Sequence, residues 1–159
     1  MPEIHDTDPF TFVQARPDYT GSIALVNNTT APNAKTFEYN KNDSGWQTYN
    51  VGDEITMKYA DKVQFRSNDT LPICNSNYYR KFITNGFFNC GGDLRSLYPG
   101  DVINANYCFR RLFENTNILN VPKLPYTEVK NYCYSYMFSG CNLLISLPEN
   151  MLPATTLAS

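Results

Sequence analysis

The chain has 159 residues and a formal net charge of −2, with a sequence pI of about 5.3. Hydrophobic residues make up 42% of it and charged residues 18%, which is enough apolar material for a folded core and excludes an unstructured tail. The acidic balance excludes a general basic field for nucleic acid or anionic lipid. No apolar run of about 18 residues exists, so a membrane-spanning helix is not expected.

The N-terminal segment, residues 1–8, is polar and is predicted to be a flexible terminus. It has neither the basic nor the apolar region of a secretory signal, so no export route is expected. The segment contains His5, the only histidine of the chain. A catalytic site that needs a positioned histidine is therefore not expected.

Residues 9–100 show the two-residue alternation of apolar and polar side chains that is typical of β-strands. Turn-forming groups at 42–45 (NDSG) and 51–53 (VGD) separate short strands, and an Asn-Gly turn at 85–86 ends another one. The pattern predicts a small antiparallel β-sandwich. The alternation places these side chains on inward faces: Phe37, Tyr39, Ile55, Met57, Tyr59, Val63 and Phe65.

An internal repeat follows residue 100. The stretch 107–119 (YCFRRLFENTNIL) aligns with 132–144 (YCYSYMFSGCNLL) at an offset of 25 residues. Further identities, at offsets of 26 and 28, follow in 121–127 and 147–155. The apolar spacing predicts a short helix in each copy, then a brief strand that a proline ends. Because one such unit cannot bury its apolar face alone, it must stack on its neighbours.

The repeat resembles the BspA-like class of leucine-rich repeats, in versions found in proteins of gut bacteria and their phages. The core of that class, Met/Ala-Phe-x-x-Cys-x-x-Leu-x-x-Ile/Leu-x-Leu-Pro, stands here as MFSGCNLLISLP at 137–148. The first copy departs from it, since Thr116 replaces the loop cysteine and Arg110 and Arg111 replace a mostly neutral pair. Terminal repeats are commonly atypical, so this copy is interpreted as a capping unit. The resemblance implies surface-exposed adhesion, or protein and glycan binding, without catalysis.

The predicted fold class is mainly β with a small α/β part. An N-terminal antiparallel β-sandwich (9–100) is followed by a short leucine-rich-repeat segment (101–159), which is expected to begin a longer array. About three repeats are usually needed for a stable stack. The residues predicted to form the repeat core are Tyr107, Cys108, Leu112, Phe113, Leu119, Cys133, Met137, Phe138, Leu144 and Leu147.

No catalytic, metal or cofactor constellation is found in the sequence. The cysteines are odd in number and include no C-x-x-C pair, so they are predicted to be small buried hydrophobes; they are Cys74, Cys90, Cys108, Cys133 and Cys141. Asp53 and Glu54 are adjacent and would point to opposite faces of a strand, which disfavours paired-carboxylate catalysis such as glycan hydrolysis. No enzyme activity and no cofactor are expected.

The candidate binding residues fall into two sets. Asn120 and Ser146 are expected on the strand side of the repeats, which solenoids normally use for binding, and Trp46, Tyr49, Tyr134 and Tyr136 would form an aromatic platform. The predicted function is a phage virion fibre or decoration protein, anchored by its sandwich, whose repeats bind a host surface protein or glycan. A bacterial cell-surface adhesin is the alternative, which the missing export signal disfavours. Other virion or surface-assembly proteins are expected partners, and nucleic acid is not; homo-oligomerisation stays open.

Overall fold

A computed structural model describes residues 1–28 and 32–151, and the backbone alone of 156–157. This part of the chain is mainly β, and a single turn of 3-10 helix at Leu94–Ser96 is its one helical element. The strands are, in chain order, β1 (Phe10–Gln14), β2 (Gly21–Asn27), β3 (Phe37–Lys41), β4 (Gln47–Tyr49), β5 (Ile55–Met57), β6 (Lys62–Arg66), β7 (Arg80–Asn85), β8 (Phe88–Gly91), β9 (Glu128–Val129) and β10 (Thr156–Leu157).

Two antiparallel sheets form the N-terminal region. The larger has the order β4-β3-β6-β1-β8 and the smaller the order β5-β2-β7. In the larger sheet Phe12 of β1 lies opposite Val63 of β6 and Cys90 of β8. In the smaller sheet Leu25 lies opposite Phe82. The prediction of antiparallel sheets in this region is confirmed.

The two-residue alternation locates the core well. Phe37, Ile55, Met57, Val63 and Phe65 are buried as predicted, and Tyr39 packs half-buried against them. The prediction for Tyr59 is wrong, because this side chain is 45% exposed. Strand β5 ends at Met57, and a turn in which Ala60 has a φ of +64° takes Tyr59 out of the alternating pattern.

The Asn-Gly turn at 85–86 connects the two sheets. Strand β7, before it, pairs with β2, whereas β8, after it, pairs with β1. Gly86 has a φ of +137°, which favours glycine. A Cβ on Gly86 would also meet the side chains of Gln14 and Phe88. The turn therefore takes the chain from the smaller sheet to the larger one, rather than forming a hairpin within one sheet.

The expected helix of each repeat is wrong. Residues 106–115 (the first coil) and 131–140 (the second coil) are runs of reverse turns, in which every second amide donates to the carbonyl three residues earlier. A left-handed residue recurs at every fourth position and interrupts α-helical geometry. Those residues are Tyr107, Arg111 and Asn115 in the first coil, and Tyr132, Tyr136 and Gly140 in the second.

The expected strand of each repeat is reduced to single parallel bridges. Ile118 bridges Phe88 at the edge of the larger sheet, and Asn120 bridges Ser146. On another side, Val102 bridges Glu128 of β9, which pairs in parallel with β10. Each copy of the repeat thus lies alongside the next one in parallel.

One hydrophobic core joins the sheets to the coils. Phe113 of the first coil lies with its ring 5.5 Å from that of Phe10 and 5.8 Å from that of Phe82. Phe12 packs edge-on against Phe82, with their centroids 4.9 Å apart. The sheets are therefore the surface on which the first coil packs, and this fixes its position.

Candidate binding surface

The two coils are held together by a regular ladder of backbone hydrogen bonds. Every second amide of the first coil, from Tyr107 to Asn115, donates to a carbonyl of the second coil, 24 residues further along the chain. The bonds run from Tyr107 to Asn131 (3.0 Å), Phe109 to Cys133 (2.9 Å), Arg111 to Ser135 (3.1 Å), Phe113 to Met137 (3.0 Å) and Asn115 to Ser139 (2.8 Å).

The opposite edge of the first coil is covered by the sheet region. The amide of Cys74 donates to the carbonyl of Cys108 at 3.0 Å, and that of Phe82 donates to Leu112 at 2.8 Å. The Cys74 thiol lies 3.1 Å from the carbonyl of Arg110. The first coil is therefore an inner layer, between the sheets and the second coil.

Equivalent side chains of the two coils stack on one another. The rings of Tyr107 and Tyr132 are 5.0 Å apart at an interplanar angle of 10°, and those of Phe113 and Phe138 are 5.5 Å apart at 1°. Phe109 and Tyr134 stack in the same way, at 6.2 Å and 15°. Such stacking explains why aromatic residues recur at these positions of the repeat.

The two arginines of the first coil join this stack. The guanidinium carbon of Arg111 lies 4.9 Å from the ring centre of Tyr136 and 5.4 Å from that of Tyr79. Arg110 lies 5.3 Å from Tyr107 and 5.5 Å from Tyr79. These contacts form an outer face that we call the stacked face: Tyr79, Tyr107, Arg110, Arg111, Tyr132 and Tyr136. Sequence reasoning missed Tyr79, which lies outside the repeat and carries no periodic signal.

The charge of the stacked face is partly balanced. Glu114 accepts from Arg111 at 2.8 Å and lies 3.9 Å from the ammonium of Lys81. The Nε atoms of Arg110 and Arg111 are buried and have no partner among the described residues. The face therefore offers flat polar and aromatic groups rather than a strong positive field.

Asn120 and Ser146, predicted as binding residues, are neighbours across a parallel bridge. Ser146 is exposed, whereas the side-chain oxygen of Asn120 accepts from the amide of Cys90 at 2.7 Å. Asn120 also lines a cleft of about 150 Å³ together with Ile4 and Lys123. The side-chain oxygen of Asn120 is thus already bound to strand β8 of the larger sheet.

Trp46 is separate from the other candidates. It is half-buried just before β4, at the edge of the larger sheet opposite to β8. The guanidinium carbon of Arg66 lies 4.2 Å from its ring centre, and Arg66 also pairs with Glu38 at 2.7 Å. The structure therefore does not bring Trp46 into one platform with Tyr134 and Tyr136, and Tyr49 is buried in the core.

A second depression lies at that sheet edge and was not predicted. It has a volume of about 530 Å³ and is lined by Tyr39, Lys41, Gln47, Glu54 and Thr56, among others. The alternation predicts strands in this region but gives no signal that side chains from β3, β4 and β5 enclose a depression.

Exposed apolar side chains are concentrated in the second repeat. Of the eight large hydrophobic residues that are exposed in the described part of the chain, half lie within 132–147. They are Tyr132 (65%), Tyr136 (62%), Ile145 (80%) and Leu147 (65%). Tyr134, by contrast, is half-buried; burial raises the pKa of its hydroxyl, which has no described hydrogen-bond partner.

The predicted repeat core divides by layer. Cys108, Leu112, Phe113, Cys133 and Met137 are buried, and Phe138 and Leu144 pack half-buried against the core. Tyr107 and Leu119 are half-buried. Leu147 is a correction, since no described layer covers it, whereas its counterpart in the first repeat, Val121, is 4% exposed.

All five cysteines are buried free thiols. Burial raises the pKa of Cys74 to about 12, so its reactive thiolate form is scarce at neutral pH. Within 1–28 and 32–151, no group of three or more His, Cys, Asp or Glu side chains is placed to hold a metal ion. The same residues include no helix long and apolar enough to cross a membrane. His5 is exposed near the N-terminus.

No family model, no curated protein and no solved structure matches this chain. The resemblance to BspA-like repeats therefore rests on the sequence of residues 107–159 alone.

Proposed function

We propose that this chain is a non-enzymatic attachment protein with repeats of the BspA-like leucine-rich type. In this proposal the antiparallel sheets anchor the protein in an assembly, and the repeats bind a host surface protein or glycan. A phage particle is the proposed setting, and a bacterial cell surface is the alternative. The resemblance in 137–148 supports both settings.

The stacked face is the observation that carries the proposal. Tyrosine provides a large, rigid contact surface with a hydroxyl at its edge, and loses little conformational entropy on binding. Tyr132 and Tyr136 are each more than 60% exposed (65% and 62%), although Tyr107 and Arg111 hold one side of each ring. Within the described residues these rings remain accessible, and we propose that they contact a sugar ring or a flat side chain of a partner protein.

Glu114 weakens the attraction of the stacked face for a phosphorylated ligand, so a neutral ligand is the one that we propose. Glu114 lies within 4 Å of two cations, at 2.8 Å from Arg111 and 3.9 Å from Lys81. A phosphate that approached Arg111 would therefore also approach a carboxylate. Neutral glycans and uncharged protein surfaces do not meet this repulsion.

The experiment is to measure binding of the labelled full chain to glycan and protein arrays and to whole gut-bacterial cells. The double substitution Tyr132→Ala and Tyr136→Ala is expected to weaken binding at least tenfold. Tyr59→Ala, an exposed tyrosine of the sheet region, is the matched control and should leave binding unchanged. Binding to none of these surfaces, or equal binding by both variants, would contradict the proposal.

A further inference from the structure

The stacking register of the two coils places one cysteine of each coil opposite the other. Cys108 and Cys133 are equivalent residues of the repeat, at the offset of 25. The amide of Phe109, next to Cys108, donates to the carbonyl of Cys133 at 2.9 Å. The pairs on either side of the cysteines are stacked aromatic rings: Tyr107 on Tyr132, and Phe109 on Tyr134. The register therefore brings the two cysteines together as well.

The spacing of the coils suits a disulfide. Backbones that bond to one another side by side lie about 5 Å apart, and a disulfide spans about 4.4–6.8 Å between Cα atoms. Another pair at the same offset shows how closely such side chains approach, since the Thr116 hydroxyl oxygen lies 3.4 Å from the sulfur of Cys141. The Cys108 thiol likewise has the Cys133 thiol as a hydrogen-bonding partner. Their sulfur atoms thus face one another between the coils.

Two of the other cysteines direct their thiols to backbone carbonyls instead. The sulfur of Cys74 lies 3.1 Å from the carbonyl oxygen of Arg110. That of Cys141 lies 2.9 Å from the carbonyl oxygen of Phe113. Cys108 and Cys133 are therefore the pair whose side chains are best placed for a bond.

We infer that Cys108 and Cys133 form a disulfide that joins the two coils when the protein folds in the presence of a small-molecule disulfide. The thiolate of one cysteine attacks the small disulfide, forms a mixed disulfide and releases one small thiolate. The thiolate of the other cysteine then attacks the protein sulfur of that mixed disulfide and releases the second one. The two cysteines lose two protons and two electrons, and the electrons reduce the small disulfide to two thiols.

Burial determines when this exchange takes place. Cys108 is 0% exposed and Cys133 3% exposed. Burial, together with the contact to Cys133, raises the pKa of Cys108, so the folded protein holds little of its reactive thiolate. The exchange is therefore expected during folding, while the coils are still opening and closing. Once formed, the bond is shielded from reductants by the layers around it.

The test is to refold the reduced full chain in a buffer of oxidised and reduced glutathione. Remaining thiols are then alkylated in denaturant and counted from the intact mass. We expect two of the five thiols to be lost, and a protease digest to contain one peptide pair joined through Cys108 and Cys133. In concentrated urea the same pair should form at least tenfold less often, because the shorter loop between Cys133 and Cys141 closes more easily in an unfolded chain.

Two variants serve as test and control. Cys133→Ala should leave all remaining thiols free after refolding. Cys74→Ala, which removes a cysteine that is also 0% exposed, should leave the disulfide unchanged. If Cys133→Ala does not fold, the digest of the wild-type protein still decides. Five free thiols in the refolded wild type, a disulfide between any other pair, or an equal yield in urea overturns the inference.

This inference rests on the register of the coils and not on the attachment function proposed above. The disulfide without binding to any array or cell would remove the attachment function alone. Array binding by a protein with five free thiols would remove the disulfide alone.

Discussion

The sheet region and the two coils satisfy their backbones in different ways. In the sheets, amides and carbonyls pair between neighbouring strands, and side chains alternate between core and solvent. In the first coil, amides that bond within the turn run alternate with amides that bond to the second coil. A strand of the sheet is thus recognisable by its own alternation, whereas about half of the backbone bonds of the first coil depend on the second coil.

The same difference determines which surfaces of the coils are covered by other described residues and which are exposed. The sheet region covers the inner edge of the first coil through Cys74 and Phe82. The second coil is covered on one side only by described residues, and half of the exposed large hydrophobic residues of that part of the chain lie in its repeat. A layered architecture leaves unsatisfied surface on any layer without a neighbour, and an antiparallel sheet has it along its edges.

The largest effect is expected where the two regions meet. Phe113→Ala removes a fully buried ring that packs on Phe10, Phe82 and Phe138, and should lower the free energy of unfolding by about 3–5 kcal/mol. Phe138→Ala, the half-buried counterpart in the second coil, should cost clearly less. Urea denaturation measures both. Equal losses would mean that the second coil is buried as deeply as the first.

A second prediction concerns a buried charge in the sheet region. The side chain of Lys35 is fully buried and pairs with Asp69 at 3.0 Å. Asp69→Asn leaves this ammonium without an opposite charge and should cost about 2–3 kcal/mol, because Asp69 itself keeps some exposure to water. Asp43→Asn, which breaks the surface pair of Lys62, is the matched control and should cost less than about 1 kcal/mol.

The same pair predicts a pH dependence. Burial alone would raise the pKa of Asp69, but the amide of Thr36 and the ammonium of Lys35 together hold that pKa below its ordinary value of 3.8. The stabilisation is therefore complete above pH 3.8 and is lost as the pH falls through the lower pKa of the folded state. Wild type should lose more stability than Asp69→Asn below about pH 4. Parallel stability curves for the two proteins in that range would disprove the coupling.

The sheet region could largely be predicted from the sequence because alternation is a local signal. Phe37, Met57 and Phe65 are found where period two places them. The prediction that Tyr59 faces inward is wrong because the next residue, Ala60, adopts a positive φ, for which the sequence gives no signal. The pairing of β7 and β8 with different sheets is likewise a long-range outcome that no local pattern specifies.

The sequence predicts where the two coils lie along the chain but not their backbone conformation. The offset of 25 residues between Tyr107 and Tyr132 is correct as a stacking register. However, the apolar spacing that predicts a helix also fits a run of reverse turns with a left-handed residue at every fourth position. Non-glycine residues such as Arg111 and Tyr136 occupy these left-handed positions. Only the bonds to neighbouring layers, which a single sequence does not display, select this backbone.

A third prediction compares one turn from each region. Gly140, in the second coil, and Gly45, in the sheet region, both have positive φ, at +73° and +103°. A Cβ on Gly140 would collide with the side-chain oxygen of Asn115 in the first coil, whereas a Cβ on Gly45 meets nothing within 4 Å. Gly45→Ala should cost about 1 kcal/mol, from backbone strain alone, and Gly140→Ala should cost more. Thermal unfolding of both variants gives the difference; equal costs would mean that the two coils are not packed as closely as the structure has them.

The smallest predicted effect is the coupling energy between stacked side chains, measured apart from the backbone hydrogen bonds between the coils. Arg111 and Tyr136 join the two coils at 4.9 Å, while Arg66 and Trp46 form a similar pair at 4.2 Å within the sheet region. Double-mutant cycles to alanine should give coupling energies of about 0.5 kcal/mol for the first pair and about 1 kcal/mol for the second, since tryptophan binds cations best.

A measurable coupling for Arg111 and Tyr136 has a consequence for the whole stack. It would show that the arginine of the atypical first repeat contributes to inter-layer stability, beyond the 3.1 Å backbone bond from Arg111 to Ser135. Zero coupling would mean that backbone bonds and the buried aromatic rings alone hold the second coil. In that case Arg111 does not restrain the ring of Tyr136, and a substitution at Arg111 should act on stability through its other partners, Glu114 and Tyr79.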